Sequence, residues 1–368
     1  MKKVNLFLAG CSDIYGGPIR STFGMTNGLK KLGHTVCLFS QAIKSEASIV
    51  RENTIFRGTY FANKNRLFKL GFVGFVHGMR ADRGSVNIIN GIWHPYYLCV
   101  LLGLSLTWKN IHLIFPRGAL SDHTLKRKSS LKICFLRIYM LMALNGKFVA
   151  TSETEKKDVE KIVTSTIEIL PNILDIRNVP QVDLSCHDER GPTSFIFISR
   201  LDEGKGILEL LDALVLLDGD WTLSIYGNDD VGLFEHIQNF LVSHDLTNKV
   251  FLHPHIPNEV VLDKLKRADC LVFPSKSENF GNIVVEAFSQ GTPVITTVHT
   301  PWIEIEKKKL GFLCDGSSGS ILEAMQRFIG LSHTERRILQ KSTKQYYKNH
   351  LTMDILLDRL EEIINGCN

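Results

Sequence analysis

The stretch CLVFPSKSENFGNIVVEAFSQGTPVITT, residues 270–297, combines a strand, a loop, a helix and a second strand in close succession. The apolar run Cys270–Phe273 predicts the first strand, and residues 283–289 have helical character. Gly291-Thr292-Pro293 introduces the second strand at Val294. Such βαβ units indicate a parallel sheet, in which ligands bind beyond the carboxyl ends of the strands.

Two glutamates, Glu278 and Glu286, lie eight positions apart in this stretch. The pattern places Glu278 in the loop after the strand and Glu286 one or two turns into the helix. Between them, backbone N–H groups of the loop and of the helix N-terminus suit an anion such as a diphosphate. Each carboxylate can accept hydroxyl hydrogen bonds, so the pair suits a nucleotide sugar. Both could instead be ordinary acidic residues near a helix start, where the helix dipole favours them.

Length and composition are those of an ordinary globular protein. The 368 residues suggest two domains, and 44% hydrophobic with 22% charged residues exclude a disordered or fibrous chain. The eight cysteines show no CxxC pair or zinc-like spacing, so buried free thiols in a reducing cytoplasm are expected. A βα start explains the short apolar N-terminus better than a signal peptide does, and no apolar run is long enough to predict a transmembrane helix.

The net charge of +5 conceals an asymmetry between the two halves. Residues 1–180 hold 25 Lys and Arg against 11 Asp and Glu, a net charge of +14, and residues 181–368 hold 18 against 27, a net charge of −9. A basic half suits nucleic acid, an anionic membrane or a phosphorylated acceptor. Since no interleaved aromatic platform or nucleic-acid motif is present, we expect no nucleic-acid partner.

Strands and helices alternate along both halves, which predicts a doubly wound parallel sheet in each. The first half has predicted strands at residues 4–9, 34–40, 86–90, 111–115, 147–152 and 166–170, with a helix at 19–32. The pattern lapses between residues 171 and 193, which indicates a linker. The second half has predicted helices at 207–217 and 260–268, and predicted strands at 195–199, 221–226, 250–252, 270–273 and 294–297.

This organisation predicts an α/β protein with two Rossmann-like domains that face each other across a cleft. We place the first domain at residues 1–175 and the second at 192–345. The tail from about residue 332 to 364 is helical and amphipathic, and we expect a C-terminal helix over 346–368 to pack back towards the first domain.

Two further loops carry groups suited to phosphate. Gly16 and Gly17 follow the first strand, where glycine lets the backbone approach a phosphate closely, although a glycine pair is often only a structural turn. Arg200 and Lys205 follow the first strand of the second half, and two cations before a helix can clamp a diphosphate. The alternative for Arg200 is an ion pair within a solvated loop.

Other features of the chain leave alternatives open. His94 and Arg117 each follow a strand of the first half, although a lone histidine is often structural. Residues 126–144 run from a basic stretch into an apolar helix, which fits either a membrane-surface segment or a core helix with a basic first turn. Asp218-Gly219-Asp220 precedes a strand, so we interpret it as a polar turn and predict no metal role for it.

The glutamate stretch resembles the E-x7-E signature of retaining glycosyltransferases of family four, together with its flanking Pro-Ser and Gly-Thr-Pro-Val-Ile. The glycine turn, the His94 loop and the Arg200–Lys205 loop occur in the order of that family, so the resemblance covers nearly the whole chain. The loop Phe115-Pro116-Arg117-Gly118 resembles a Pro-Arg-Gly loop of bacterial surface-polysaccharide members, in which Arg117 would meet either an acceptor phosphate or the donor. Two stretches depart from the family pattern. Asn172-Ile173 stands where many members have Asn-Gly, and His253-Pro254-His255 stands where a glycine is common before the base-binding loop. These departures concern the donor base more than the class of reaction.

The resemblance implies a GT-B fold and metal-independent transfer of a sugar from a UDP- or GDP-sugar, with the anomeric configuration retained and no cofactor. It implies catalytic roles for Glu278, Arg200, Lys205 and His94, with Glu286 on the ribose. Donor contacts are expected from the remaining site residues: Gly16, Gly17, Arg117, Asn279, Phe280, Gly281, Asn282 and Ile283. The first domain would bind the acceptor.

The expected setting is the assembly of O-antigen or a similar surface polysaccharide. The acceptor would be a glycan or lipid-linked oligosaccharide, and the protein would lie in the bacterial cytoplasm, peripheral at the inner face of the cytoplasmic membrane, with residues 126–144 in contact with anionic lipid. A sugar-nucleotide epimerase of the same fold and a non-catalytic sugar-nucleotide-binding protein remain alternatives. A starch-type phosphorylase is disfavoured because such enzymes are much longer.

Overall fold

The computed structural model describes residues 1–9, 16–40, 55–58, 66–82, 84–109, 113–121, 124–125, 130–176, 191–229 and 231–366. The chain divides into two compact units. The first comprises Met1–Asp175 together with Thr352–Asn368, and the second comprises Ile176–Leu351. The segment that returns to the first unit therefore begins at Thr352 rather than at residue 346, because the preceding helix continues to His350. Residues 177–190 of the expected linker lie outside the described residues.

The first unit contains a parallel sheet of seven strands in the order β3-β2-β1-β4-β5-β6-β7. The strands are β1 Lys3–Leu8, β2 Thr35–Ser40, β3 Ile55–Gly58, β4 Val86–Asn90, β5 Leu113–Phe115, β6 Lys147–Ala150 and β7 Glu168–Ile169. The central strands are buried on both faces, which is why most of their residues are apolar.

Helices cover both faces of this sheet. The helices of the first unit are α1 Gly16–Lys31, α2 Arg66–Arg80, α3 Pro95–Leu106, α4 Ser130–Met142, α5 Glu153–Glu160 and, from the end of the chain, α12 Met353–Asn365. One apolar core joins α1 and α12 to one sheet face, and a second core joins α3 and α4 to the other. The last helix is thus part of the hydrophobic core of the first unit.

The second unit contains six parallel strands in the order β10-β9-β8-β11-β12-β13. The strands are β8 Thr193–Ile198, β9 Trp221–Tyr226, β10 Val250–His253, β11 Cys270–Phe273, β12 Val294–Thr297 and β13 Gly311–Cys314. The helices are α6 Ile207–Val215, α7 Leu233–Ser243, α8 Asn258–Arg267, α9 Asn282–Gln290, α10 Ser318–Ile329 and α11 His333–His350. The predicted α/β class with two doubly wound parallel sheets is therefore confirmed.

One local prediction is wrong at the start of α1. The sequence predicted that the helix begins at residue 19, after the glycine pair, but Gly16, Gly17 and Pro18 form the first turn of the helix itself. Proline is tolerated there because the first N–H groups of a helix have no partner within it. Among the described residues, no helix combines the length and apolar character needed to cross a membrane.

Candidate functional site

In the second unit, two loops meet beyond the carboxyl ends of β8 and β11. The first contains a short 3-10 helix, Glu203–Lys205, followed by Gly206 with φ +71°. A Cβ at Gly206 would lie 2.1 Å from the carbonyl oxygen of Pro274, so only glycine allows this approach. The backbone N–H of Lys276 also donates to the Gly204 carbonyl at 2.9 Å. The backbone therefore fixes the two loops against each other.

This contact brings two predicted site residues together. Lys205 Nζ donates to Glu278 Oε2 at 2.9 Å, and the two side chains are only 15% and 20% exposed. Arg200, by contrast, is 63% exposed and lies 3.7 Å from Asp202. An ion pair within a solvated loop was the alternative interpretation of Arg200. The Arg200 side chain makes such a pair with Asp202 in this structure.

The N-terminus of α9 lies beside this ion pair. Gly281 precedes the helix in a left-handed conformation, φ +77°, and no side-chain cap hydrogen bond is made there. A Cβ on Gly281 would lie 3.4 Å from Glu278 Cγ and 3.3 Å from the Phe273 ring. The first N–H groups of the helix therefore sit at the edge of the Lys205–Glu278 pair, where the positive end of the helix dipole favours an anion.

The remaining residues of this stretch have distinct positions. Glu286 lies in the second turn of α9 and is 1% exposed. Phe280 is buried, and its carbonyl accepts a hydrogen bond from Trp302 Nε1 at 2.6 Å, which holds the loop. Asn279, Asn282 and Ile283 are half-buried. A buried carboxylate such as Glu286 is tolerated only where donors of the protein or a ligand surround it.

An aromatic pair at the ends of β9 and β10 was not predicted as part of a site. The rings of Tyr226 and His253 stack with centroids 4.5 Å apart, and Lys264 Nζ lies 5.7 Å from the Tyr226 ring centre. Burial, and then the charge of Lys264, lower the pKa of His253. The histidine is therefore neutral at pH 7 and offers a flat ring at the carboxyl edge of the sheet. The sequence could have indicated this pair, because Tyr226 and His253 are each the last residue of a strand.

The acidic residues around β9 serve as turns and caps. Asp218 and Asp220 precede β9, as the polar-turn interpretation required. Asp229 accepts hydrogen bonds from the N–H groups of Leu233 and Phe234 at 2.7 and 3.0 Å, and such bonds lower its pKa. Asp229 thus caps the start of α7. No group of three potential metal ligands was found within the described ranges.

In the first unit, His94 caps helix α3. Its Nδ1 accepts a hydrogen bond from the Tyr96 N–H at 3.2 Å, and burial lowers its pKa. The ring is therefore neutral, and because Nδ1 is the acceptor, the proton resides on Nε2. His94 can donate a hydrogen bond through Nε2 but is not a cation at neutral pH. Both the structural and the functional interpretation of this residue are compatible with this geometry.

Arg117 lies beyond the end of β5, as predicted, but the sequence did not predict the side chains that hold it. Its Nη2 and Nε donate to Asn90 Oδ1 at 2.9 and 3.3 Å, and its Nη1 donates to Asn172 Oδ1. The guanidinium lies 4.8 Å from the Phe115 ring centre. Burial lowers the pKa of Arg117 to about 10. Its φ of +55° is uncommon outside glycine, and such backbone strain often accompanies function.

Helix α4 contains the described part of the segment 126–144, whose residues 126–129 are outside the described ranges. Leu136, Tyr139 and Ala143 pack into the core of the first unit. The helix and the residues directly after it also expose apolar side chains with fractional exposures of 44 to 74%, namely Ile133, Ile138, Leu141 and Leu144. The helix is therefore a core helix that also has an exposed apolar face.

Gly16 and Gly17 lie at the N-terminus of α1, beyond the carboxyl end of β1. In the second unit, the structure brings together three of the predicted features: Lys205, Glu278 and the start of α9. Those of the first unit, including His94 and Arg117, lie beyond the carboxyl ends of its own sheet.

Comparison with known proteins gives consistent similarities. Residues 188–346 match the family Glycosyl transferases group 1. A lipopolysaccharide 1,6-galactosyltransferase of Escherichia coli K12 is 25% identical over 211 residues, which cover 55% of this chain and 56% of that protein. An uncharacterized glycosyltransferase of Haemophilus influenzae is 22% identical over 365 residues and 94% of each chain.

Solved structures resemble the chain over its whole length. Anabaena HepE in complex with UDP gives a TM-score of 0.81 at 16% identity, with 100% of both chains covered. WaaG, a glycosyltransferase involved in lipopolysaccharide biosynthesis, gives a TM-score of 0.73 at 15% identity, with 98% of this chain and 99% of that chain covered. At these identities the likeness establishes the fold.

Proposed function

Because the chain carries a glycosyl transferases group 1 domain over residues 188–346 and has the GT-B fold, we propose that it transfers a sugar from a UDP- or GDP-sugar to a glycan hydroxyl with retention of configuration. The reaction would need no metal ion. The E. coli and Anabaena relatives support this proposal through a galactosyl transfer in one case and bound UDP in the other.

One observation carries the proposal: the Lys205–Glu278 pair lies at the N-terminus of α9, in the second unit. A cation and a helix N-terminus suit the diphosphate of a nucleotide sugar, and a carboxylate at the same sheet edge suits its sugar. Lys205 and the N–H groups of α9 would hold the diphosphate, and Glu278 would accept hydroxyl hydrogen bonds from the sugar. Glu286, buried in the same helix, would accept the ribose hydroxyls.

Lys205 pairs with Glu278, so the donor must compete for this lysine. When the diphosphate binds, Lys205 turns its charge towards the phosphate oxygens and Glu278 becomes free to bind the sugar. The exposed Arg200 needs only to leave Asp202, at 3.7 Å, to reach the same phosphates. Weak surface ion pairs of this kind cost little to break.

The reaction step follows from these positions. As the glycosidic bond breaks, its electron pair passes to the diphosphate oxygen, where Lys205 and Arg200 stabilise the growing negative charge. The acceptor oxygen attacks the anomeric carbon from the face the diphosphate leaves, and its proton passes to the departing phosphate oxygen. No covalent enzyme intermediate is required. Neutral His94 would donate its Nε2 hydrogen bond to the sugar.

We further propose a lipid-linked oligosaccharide or a related surface glycan as acceptor, bound by the first unit. The net charge of +14 over residues 1–180 supports an anionic surface as its location. The exposed apolar face of α4 also carries exposed Lys132 and Arg137. Apolar side chains beside cations are suited to the headgroup region of a membrane, so we propose that the protein lies at the inner face of the cytoplasmic membrane.

The donor proposal is tested by thermal unfolding with a panel of UDP- and GDP-sugars. A bound donor stabilises the folded chain by about 2.7 kcal/mol at a hundredfold excess over its Kd, which raises the melting temperature measurably. Incubation of the best donor without acceptor separates the alternatives, because an epimerase changes the sugar unaided. If no nucleotide sugar raises the melting temperature, the proposal fails.

The membrane proposal is tested by pelleting with phosphatidylglycerol vesicles and with phosphatidylcholine vesicles. We expect binding to the anionic vesicles only, weakened by salt and by Leu141→Ser. Val242→Ser is the matched control, because Val242 has a similar exposure, 66% against 68%, in the second unit. Equal losses for the two variants, or equal binding to both vesicles, would contradict this part of the proposal.

A further inference from the structure

Trp302 lies beside the N-terminus of α9, a position for which the sequence predicted no role. Its Nε1 donates a hydrogen bond to the Phe280 carbonyl at 2.6 Å. A Cβ on Gly281, the residue that precedes α9, would lie 3.5 Å from the same nitrogen and 3.4 Å from Glu278 Cγ. The indole N–H therefore borders the place where we put the donor diphosphate.

The indole ring of Trp302 is held from several sides. Its ring centroid lies 5.5 Å from that of Phe280 and 5.4 Å from that of Phe288, a buried residue of α9. The backbone N–H of Trp302 donates to Thr300 Oγ1 at 3.4 Å, and this hydroxyl donates to the carbonyl of Thr297, the last residue of β12, at 2.9 Å. These contacts give the indole N–H a defined direction.

Two buried threonines tie the end of β12 to the end of β11. Thr296 Oγ1 donates to the Phe273 carbonyl at 3.0 Å, and Thr297 Oγ1 donates to the Ser275 carbonyl at 2.6 Å. The loop after β12, which contains Trp302, is therefore fixed to the loop after β11, which contains Glu278. The hydrogen bond of the indole is made between two segments that are already joined.

The peptide group between Phe280 and Gly281 is the part of the loop that this hydrogen bond controls. A trans peptide is planar, and its C=O and N–H point in opposite directions, so the bond to Trp302 directs the Gly281 N–H away from the indole. Glycine adopts φ of either sign, so Gly281, at φ +77°, would also permit the reversed peptide. Reversal would put a carbonyl oxygen where the N–H lies, and that oxygen would repel a phosphate.

We propose that Trp302 is a positioning residue for the donor diphosphate. Its indole N–H holds the peptide between Phe280 and Gly281 in the orientation that turns the Gly281 N–H towards the phosphate oxygens. The inference rests on the proposed function, because it names a residue that sets the geometry of the diphosphate site. Trp302 acts through this peptide alone, so its loss should affect the phosphates of a ligand and not the nucleoside.

The decisive variant is Trp302→Phe, which keeps an aromatic ring against Phe280 and Phe288 but has no N–H donor. Trp221→Phe is the matched control. Trp221 Nε1 donates to the Leu217 carbonyl at 2.9 Å in the same unit, but Trp221 begins β9 and so lies at the amino edge of the sheet. Both variants lose one indole hydrogen bond to a backbone carbonyl, and only Trp302→Phe loses it beside α9.

The measurement is a calorimetric titration of the full chain with UDP or GDP, whichever binds more tightly, with the corresponding nucleoside, and with inorganic pyrophosphate. In Trp302→Phe the affinities for the nucleoside diphosphate and for pyrophosphate should fall by about three- to tenfold, the net effect of one neutral hydrogen bond. The affinity for the nucleoside should not change. Trp221→Phe should match the wild type for every ligand.

Two results would overturn the inference: unchanged affinity of Trp302→Phe for both phosphate ligands, or an equal loss for the nucleoside, which would indicate a general structural role. Failure of the proposed function would look different. Neither UDP nor GDP would then bind to the wild type, whereas the pyrophosphate titrations would still report on the peptide. If pyrophosphate did not bind either, the inference would fail as well.

If Trp302→Phe does not fold, NMR of the isotope-labelled indole groups tests the same inference in a chain that keeps Trp302. The chain has four tryptophans, so Trp93→Phe, Trp108→Phe and Trp221→Phe identify the Trp302 signal by elimination. Saturating pyrophosphate should shift the Trp302 indole N–H signal and leave that of Trp221 in place. A Trp302 signal that does not move would overturn the inference.

Discussion

Replacing Lys205 by alanine separates the role of this residue in catalysis from its role in stability. The variant removes the cation that we place on the departing phosphate. One lost charge-stabilising donor costs about 10²–10³-fold in kcat. It also leaves Glu278, only 20% exposed, without its ion-pair partner. The stability cost should lie between that of a surface pair and that of a buried one, at about 1–3 kcal/mol.

The assay measures release of nucleoside diphosphate from the best donor at saturating concentration, with urea unfolding on the same samples. Lys276→Ala is the matched control, because Lys276 lies on the same loop but pairs with Glu209 at 2.6 Å. The double variant Lys205→Ala/Glu278→Ala should recover part of the lost stability, since no unpaired carboxylate remains, but none of the turnover. Near-normal kcat in Lys205→Ala, or an equal loss in Lys276→Ala, would refute the reasoning.

Three further changes test the packing, the sugar contact and the charge distribution. Gly206→Ala should destabilise the second unit by at least about 1–2 kcal/mol in urea unfolding, because the new Cβ would meet Pro274. Gly232→Ala is the control, since Gly232 has φ +80° but open space around it, and this variant should lose less stability. Glu278→Gln should bind the nucleoside diphosphate as tightly as the wild type or more so, because Lys205 is released, while turnover falls; weaker binding would contradict the competition. Burial, then Lys348 and Lys266, lower the pKa of Lys344 from 10.5 to about 8. The unfolded chain therefore binds the proton more tightly, and wild-type stability should rise relative to Lys344→Met between about pH 8 and 10.5; melting curves in which this difference is independent of pH would contradict the assignment.

The second unit was the more predictable part of the fold. Its strands at Trp221–Tyr226, Cys270–Phe273 and Val294–Thr297 have the predicted bounds. Each is a short apolar run between clear turn residues, and local pattern suffices to define such a strand. The family resemblance of the second unit is confirmed by the match of residues 188–346 to Glycosyl transferases group 1, and the similar solved structures confirm the fold.

Other elements could not be predicted because tertiary contacts determine them. Helix α3 is apolar nearly all round, with mean hydropathy high on every face, so periodicity gave no signal there. Its close packing on α2 depends on glycines: a Cβ at Gly78 would lie 2.4 Å from the Val100 carbonyl oxygen. Short edge strands such as β13 pair only once the preceding strand is in place.

In the candidate site, the residue types were predictable but their contacts were not. Lys205 and Glu278 are 73 positions apart, and only the approach of Gly206 to Pro274 brings them within 2.9 Å. The surroundings of Arg117 were missed for the same reason. Asn90 and Asn172 are ordinary polar residues in the sequence, and only the ends of β4 and β7 place them on one guanidinium.

The central claim is that Glu286 and Glu278 hold different parts of one nucleotide sugar. It is tested most directly by calorimetric comparison of the best nucleoside diphosphate with its 2′,3′-dideoxy form, on the wild type, Glu286→Met and Glu278→Gln. Hydrogen bonds to a charged group contribute about 1.5–3 kcal/mol, so the wild type should prefer the hydroxylated ligand by about tenfold or more. Glu278→Gln should keep that preference and Glu286→Met should lose it. An undiminished preference in Glu286→Met would contradict the claim.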